Sequence, residues 1–80
     1  MTKEETLREA LEGRGCLGKA KPDEPVFVFR AQDELAPEIV RDWADIVATH
    51  DPNSSKAHAA SKLADEMEAW QEKNGCKMPD

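Results

Sequence analysis

The chain has 80 residues, of which 17 are acidic and 11 are Lys or Arg, so its formal net charge is −6. This length accommodates one small domain, residues 1–80. The sequence contains no run of apolar residues long enough to span a membrane, and its acidic N-terminal segment lacks the apolar core of a signal peptide. An excess of acid argues against direct binding of nucleic acid, whose affinity comes mainly from Lys and Arg. We therefore expect a cytoplasmic protein that contacts neither a membrane nor nucleic acid.

The first predicted element is a helix over residues 2–12. Thr2, with Glu5 three positions later, has the pattern of a capping box, and Gly13 suits the left-handed position that closes a helix. Residues 13–25 are rich in glycine and proline and predict a connector. The β-favouring run Val-Phe-Val-Phe then predicts a short extended segment over residues 26–30. This segment either pairs with residues 16–20 as a loose hairpin or packs under the helices as an extended or short helical piece.

Two longer helices are predicted over residues 37–50 and 53–74, followed by a tail over residues 75–80. Pro37 fits the first turn of the earlier helix, and Gly75 is a natural stop for the later one. The apolar stripe of the earlier helix contains Ile39, Val40, Trp43, Ile46 and Val47. The corresponding face of the later helix contains Ala60, Leu63, Ala64, Met67 and Trp70. We predict a mainly α, compact three-helix domain whose two longest helices pack by their Trp-bearing faces.

A glycine-rich string over residues 13–20 matches G-x-G-x-x-G and nearly matches a phosphate-binding loop. Both motifs need a strand before the glycines and a helix after them. Here a helix precedes the glycines, and Ala20 replaces the hydroxyl residue that would hold Mg²⁺. We therefore interpret the string as a helix stop followed by a turn.

The candidate metal ligands are Cys16, His50, His58 and Cys76, which are too widely spaced for a structural zinc site. In a cytoplasmic protein the two cysteines should remain reduced thiols. No local feature activates Cys16 as a nucleophile, and the carboxylates show no sign of the burial that would separate their pKa values. We predict no catalytic residue, no metal, no cofactor and no enzymatic activity.

Negative charge is concentrated in residues 33–51, whose net charge is −5. Glu38, Asp42 and Asp45 recur at helical spacing and share one face of the helix over residues 37–50. A similar row lies in the last helix. The candidate partner-binding residues are Asp33, Glu34, Glu38, Asp42, Asp45, Asp65, Glu68 and Glu72. These residues form either a solvated face that confers solubility or a docking surface for a basic partner.

Several motifs resemble those of a family of small proteins encoded by phages and prophages. They are Glu24–Asp33 (EPVFVFRAQD), Ala36-Pro37, Trp43-Ala44-Asp45, Leu63–Trp70 and the closing Lys77–Asp80. Within that family the chain resembles the type I-C anti-CRISPR proteins. The resemblance covers residues 16–80, and its motifs describe a fold without identifying an active site.

The resemblance implies an inhibitor of a type I-C RNA-guided surveillance complex (Cascade) in the cytoplasm of the bacterial host. Such an inhibitor would bind a subunit with a basic nucleic-acid-binding surface and exclude target DNA. We expect the chain to be a monomer. The alternative function is a phage structural or assembly accessory that self-associates through the edge of the segment Val26–Phe29.

Overall fold

The computed structural model describes residues 1–78, which form four helices and no β-strand. The helices are α1 (Lys3–Leu11), α2 (Gly15–Lys19), α3 (Ala36–His50) and α4 (Ser55–Asn74). The mainly α class and the three longer helices agree with the prediction, whereas the short α2 was not predicted. Pro79 and Asp80, at the end of the predicted tail, lie outside the described residues.

The N-terminal capping box is present at the start of α1. The backbone N–H of Glu5 donates to Thr2 Oγ1 over 3.2 Å, and the Glu5 carboxylate accepts from the backbone N–H of Thr2 over 3.3 Å. Two N–H groups that lack partners inside the helix are thereby satisfied. The polar side chains of the capping box fix where α1 begins.

The glycine-rich string forms a tight reversal between α1 and α2. Gly13 and Gly15 both have positive φ, +71° and +74°, a backbone region that glycine enters without steric cost. At Gly18, an added Cβ would lie 2.9 Å from the carbonyl carbon of Gly13 and 3.2 Å from Ala10 Cα. The glycines therefore allow a turn and a close contact between α1 and α2. The strand that a phosphate-binding loop needs before its glycines is replaced by helix α1.

The segment over residues 26–30 has no regular secondary structure. A hairpin with residues 16–20 is not formed, and that alternative is wrong because Gly15–Lys19 is helical. The second alternative was an extended or short helical piece packed under the helices. It is also wrong, because the segment is not packed there: Phe27 is 81% exposed. The segment instead crosses from α2 to α3 along the surface.

Helix α3 begins one residue earlier than predicted, at Ala36. The N–H of Ala36 donates to the carbonyl of Asp33 over 2.9 Å, so a turn leads directly into the helix. Helix α4 begins after Ser54, whose hydroxyl accepts from the N–H of Ala57 over 3.2 Å. This N-cap lies within the cluster of capping residues that the sequence identified.

Helices α3 and α4 pack against each other through small residues. The buried apolar residues are Ala36, Ala44, Ala57, Ala64 and Met67. The predicted face of α4 is buried at Ala64 and Met67, whereas Trp43 and Trp70 are 49% and 44% exposed, so the prediction that the indoles lie at the centre of the contact is wrong. Alanine lets two helix backbones approach closely, whereas an indole between them would hold them apart.

The chain entering α3 is joined to the chain leaving α4. Asp33 and Lys77 form an isolated parallel β-bridge, in which the N–H of Glu34 donates to the carbonyl of Lys77 over 2.7 Å. The side-chain amide of Gln71 also donates to the carbonyls of Ala31 and Asp33, over 2.8 and 3.0 Å. These bonds fix where α3 starts relative to the end of α4.

Within residues 1–78, α1 and α2 pack on each other and not on α3 or α4. An ion pair of 3.2 Å between the Met1 amine and Glu66 connects the N-terminus to α4. The accessible surface is 6529 Å², compared with roughly 4,800 Å² for a compact monomer of this mass. The fold thus leaves much apolar surface in contact with water. In the part of the chain described, no helix combines the length and apolar character needed to cross a membrane.

Candidate interaction surface

The acidic row of α3 consists of exposed predicted site residues that have no side-chain partner within residues 1–78. Glu38, Asp42 and Asp45 are all exposed. Within residues 1–78, none of their carboxylates accepts a hydrogen bond or forms an ion pair. Their spacing of four and three residues places them on one face of the helix. The row therefore presents uncompensated negative charge to solvent.

An apolar stripe runs beside this acidic row. Each carboxylate is followed in the sequence by an apolar residue, and these residues are also exposed: Ile39 by 41%, Trp43 by 49% and Ile46 by 59%. Successive residues on a helix are separated by about 100°, so the acidic and apolar stripes lie next to each other. Together the two stripes offer a partner both electrostatic and hydrophobic contact.

The second predicted row is partly used inside the molecule. Arg41 of α3 reaches across to α4, where its Nη2 donates to Asp65 Oδ1 over 2.7 Å and its Nη1 donates to Glu68 Oε1. The hydrogen bond from Arg41 lowers the pKa of the Glu68 carboxyl below its ordinary value. The same bond and the one to Asp65 raise the pKa of the Arg41 guanidinium. Asp65 and Glu68 thus neutralise a cation and orient α3 on α4.

The remaining predicted residues lie apart from the α3 row. Asp33 is partly buried, and its Oδ2 accepts from the N–H of Arg30 over 3.1 Å, which gives this carboxylate a local structural role. Glu34 is exposed while its backbone is held by Lys77. Glu72 is exposed in the last turns of α4. The structure therefore places Glu38, Asp42 and Asp45 on one face of α3, and it places Asp65, Glu68 and Glu72 on α4, where the first two bind Arg41.

One shallow depression of about 270 Å³ lies where the β-bridge meets α4. It is lined by Gln32, Trp70, Asn74, Gly75, Cys76 and Lys77. In the described part of the chain, no group of three or more His, Cys, Asp or Glu side chains is placed to hold a metal ion. Cys16 and Cys76 are free and exposed. None of these features groups titratable side chains around an enclosed site.

Sequence reasoning missed two components of the surface. It assigned Ile39, Trp43 and Ile46 to the core, because their helical spacing is also that of a buried stripe. It also did not identify Arg41 as the residue that links α3 to α4. The available signal was the single cation within the acidic stretch over residues 33–51, since a lone cation among acids commonly pairs with them.

Comparison with known proteins gives no match: no protein-family model, no curated protein and no solved structure is similar to this chain.

Proposed function

We propose that this protein is a phage-encoded inhibitor that binds a type I-C RNA-guided surveillance complex (Cascade) and prevents target DNA from binding. The observation that carries the proposal is the acidic row Glu38, Asp42 and Asp45, which is exposed and has no cationic partner within residues 1–78. The motif resemblance to type I-C anti-CRISPR proteins supports the same conclusion. Inhibition is stoichiometric and involves contact between proteins.

The physical basis is charge complementarity. A protein channel that holds RNA and DNA is lined by Lys and Arg, because neutralising phosphates supplies most of its affinity. An acidic protein with a net charge of −6 is attracted to such a channel and arrives faster than a neutral one. The apolar stripe containing Ile39, Trp43 and Ile46 then supplies the dehydrated centre that stable interfaces need.

The partner in this proposal is one Cascade subunit with a basic nucleic-acid-binding surface, located in the cytoplasm of the bacterial host. The protein itself contacts no nucleic acid, since its own charge repels phosphate. It needs neither a cofactor nor a metal, and it catalyses no reaction. At the concentrations where it inhibits, it acts as a monomer.

A capture experiment tests this proposal directly. The tagged chain is expressed in cells that carry a type I-C system, and the captured complex is then assayed for binding of a matched DNA target. We expect Cascade subunits to be captured and the captured complex to bind target DNA poorly. Cells that lack the type I-C system provide the control. Absence of Cascade from the captured material, or a captured complex that binds DNA normally, would contradict the proposal.

A structural or assembly accessory that self-associates is the second candidate function. The observation that favours it is the exposed apolar segment Val26–Phe29, in which Phe27 is 81% exposed. This candidate predicts large homo-oligomers and no capture of Cascade. The same capture experiment therefore separates the two functions.

A further inference from the structure

The segment Val26–Phe29 has the properties of a strand that lacks a partner. Its side chains are exposed, by 51% at Val26 and 69% at Val28. None of its backbone N–H or carbonyl groups forms a hydrogen bond within residues 1–78. β-branched and aromatic residues are those that strands favour. An exposed strand edge of this kind readily pairs with another chain.

Local hydrogen bonds fix the chain on both sides of this segment. The N–H of Glu24 donates to the carbonyl of Lys21 over 3.0 Å, and the N–H of Arg30 donates to Asp33 Oδ2 over 3.1 Å. Between these turns, the rings of Phe27 and Phe29 make an edge-to-face contact with centroids 4.9 Å apart. Side chains two residues apart share one face of an extended chain, so the two rings form a single exposed apolar pair.

The charges that flank the segment are self-complementary. Glu24 and Arg30 lie three residues before and three residues after Phe27. When two copies pair antiparallel about Phe27, Glu24 of each copy lies directly opposite Arg30 of the other. Parallel pairing would place like charges opposite each other. An antiparallel register shifted by one residue places either Pro25 or Asp23 opposite Arg30; the second of these registers also places the charged Glu24 opposite Phe29, so the register about Phe27 is the one that matches both the charges and the apolar residues. Within residues 1–78, the Arg30 guanidinium has no ion-pair partner.

We propose that Val26–Phe29 is a self-pairing strand through which two copies of this chain associate antiparallel about Phe27. Two Glu24–Arg30 ion pairs between the copies set the register, and the Phe27 and Phe29 rings of both copies form the apolar centre. This association goes beyond the proposed inhibition, which uses α3. Four residues from each chain bury less than the roughly 1,200 Å² of a standard interface. The dimer is therefore weak and forms only at high protein concentration.

Sedimentation of the full chain over a wide concentration range tests the association. We expect the wild-type protein to pass from monomer to dimer as its concentration rises from the micromolar to the millimolar range. Glu24→Arg and Arg30→Glu should each weaken the dimer about tenfold or more, because each change places like charges opposite each other. The double variant E24R/R30E should restore wild-type association, since it reverses both partners and keeps the net charge unchanged.

Restoration by the double variant separates pairing from folding. A single reversal that merely unfolded the chain would not be rescued by a second one, and circular dichroism should show the same helix content in all four proteins. A wild-type protein that remains monomeric across the range would overturn the proposal. Single variants that associate as well as the wild type, or a double variant that does not recover, would also overturn it.

Disulfide trapping tests the register independently. In a chain with Cys16 and Cys76 replaced by Ser, Val26→Cys and Val28→Cys each add one thiol and keep both rings. In the register about Phe27, Val26 of one copy lies directly opposite Val28 of the other, with Cα atoms about 4.5–5.5 Å apart, within reach of a disulfide. A mixture of Asp23→Cys and Val28→Cys chains is the control, because these two positions are not opposite each other in this register. Mild oxidation of a mixture in which one chain is tagged should cross-link V26C to V28C and not D23C to V28C, and any other pattern contradicts the register.

Discussion

Gln71 of α4 donates a side-chain hydrogen bond to the backbone carbonyl of Asp33 over 3.0 Å. A second bond from the same amide nitrogen, 2.8 Å long, reaches the carbonyl of Ala31. Through these bonds the last turns of α4 hold the chain just before α3 begins. The position of the acidic row on α3 therefore depends on an uncharged side chain that lies outside that row.

Replacing Gln71 by Ala should loosen this junction. Two partly buried carbonyls would lose their donor, and each such bond contributes about 0.5–1.5 kcal/mol. We expect the backbone N–H of Glu34, which donates to the carbonyl of Lys77 over 2.7 Å, to exchange with solvent at least tenfold faster. Hydrogen exchange measured by NMR checks this result. Asn74→Ala is the control, since within residues 1–78 the Asn74 side-chain amide donates only to the carbonyl of Trp70 in its own helix. An unchanged Glu34 exchange rate in Q71A would contradict the role of Gln71.

A larger side chain at Ala64 should destabilise the α3–α4 pair. Ala64 has 0% exposure, so Ala64→Leu forces extra methylene groups into a close helix contact at a cost of about 1–3 kcal/mol. Thermal unfolding should show a clear fall in Tm. Ala59→Leu adds the same side chain at an exposed position of α4 and should change stability by less than about 0.5 kcal/mol. Equal effects of the two variants would show that α3 does not pack where the structure places it.

Acid should weaken the fold partly through Glu68. Its folded pKa lies below the ordinary value of 4.5 because Arg41 donates to the ionised carboxylate. The stability that it contributes is therefore present above pH 4.5 and is lost as the pH falls through the lowered folded value. Glu68→Gln removes this contribution, so stability should decline less steeply below pH 4.5 than in the wild type.

Denaturant unfolding at several pH values between about 3 and 7 measures that slope. Glu72→Gln is the matched control on the same helix, because the Glu72 carboxylate has no ion pair within residues 1–78. We expect E72Q to follow the wild-type pH dependence. If the unfolding free energy of E68Q falls with pH as steeply as that of the wild type, Arg41 does not hold Glu68 in its ionised form.

The parts of the fold that were predictable from the sequence depend on local interactions. Thr2 and Ser54 act within a few residues of themselves, and capping signals of this range can be identified without knowing the fold. The short α2 was missed because its composition is unfavourable for a helix. It forms where Gly13 and Gly15 adopt positive φ and reverse the chain.

The packing face of α3 was not predictable from its periodicity. Two adjacent apolar stripes satisfy the same helical spacing, one containing Ala44 and the other containing Trp43. The structure buries Ala44 and leaves Trp43 half exposed, with Arg41 positioned to reach Asp65 and Glu68. Which of the two stripes is buried depends on how α3 is positioned on α4. The periodicity of α3 alone cannot show this, because it involves two segments that are distant in the sequence.

The proposed inhibition depends most on binding of the α3 acidic row to a basic surface of Cascade. Its most direct test is a titration of purified type I-C Cascade with target DNA, in which inhibition by the wild type is compared with inhibition by D42K/D45K. E4K/D23K is the control, since it changes the net charge equally at two exposed acids outside α3. We expect D42K/D45K to need at least about tenfold more protein for half-inhibition, while E4K/D23K stays within about twofold of the wild type. Equal loss in both variants, or full inhibition by D42K/D45K, would contradict this binding.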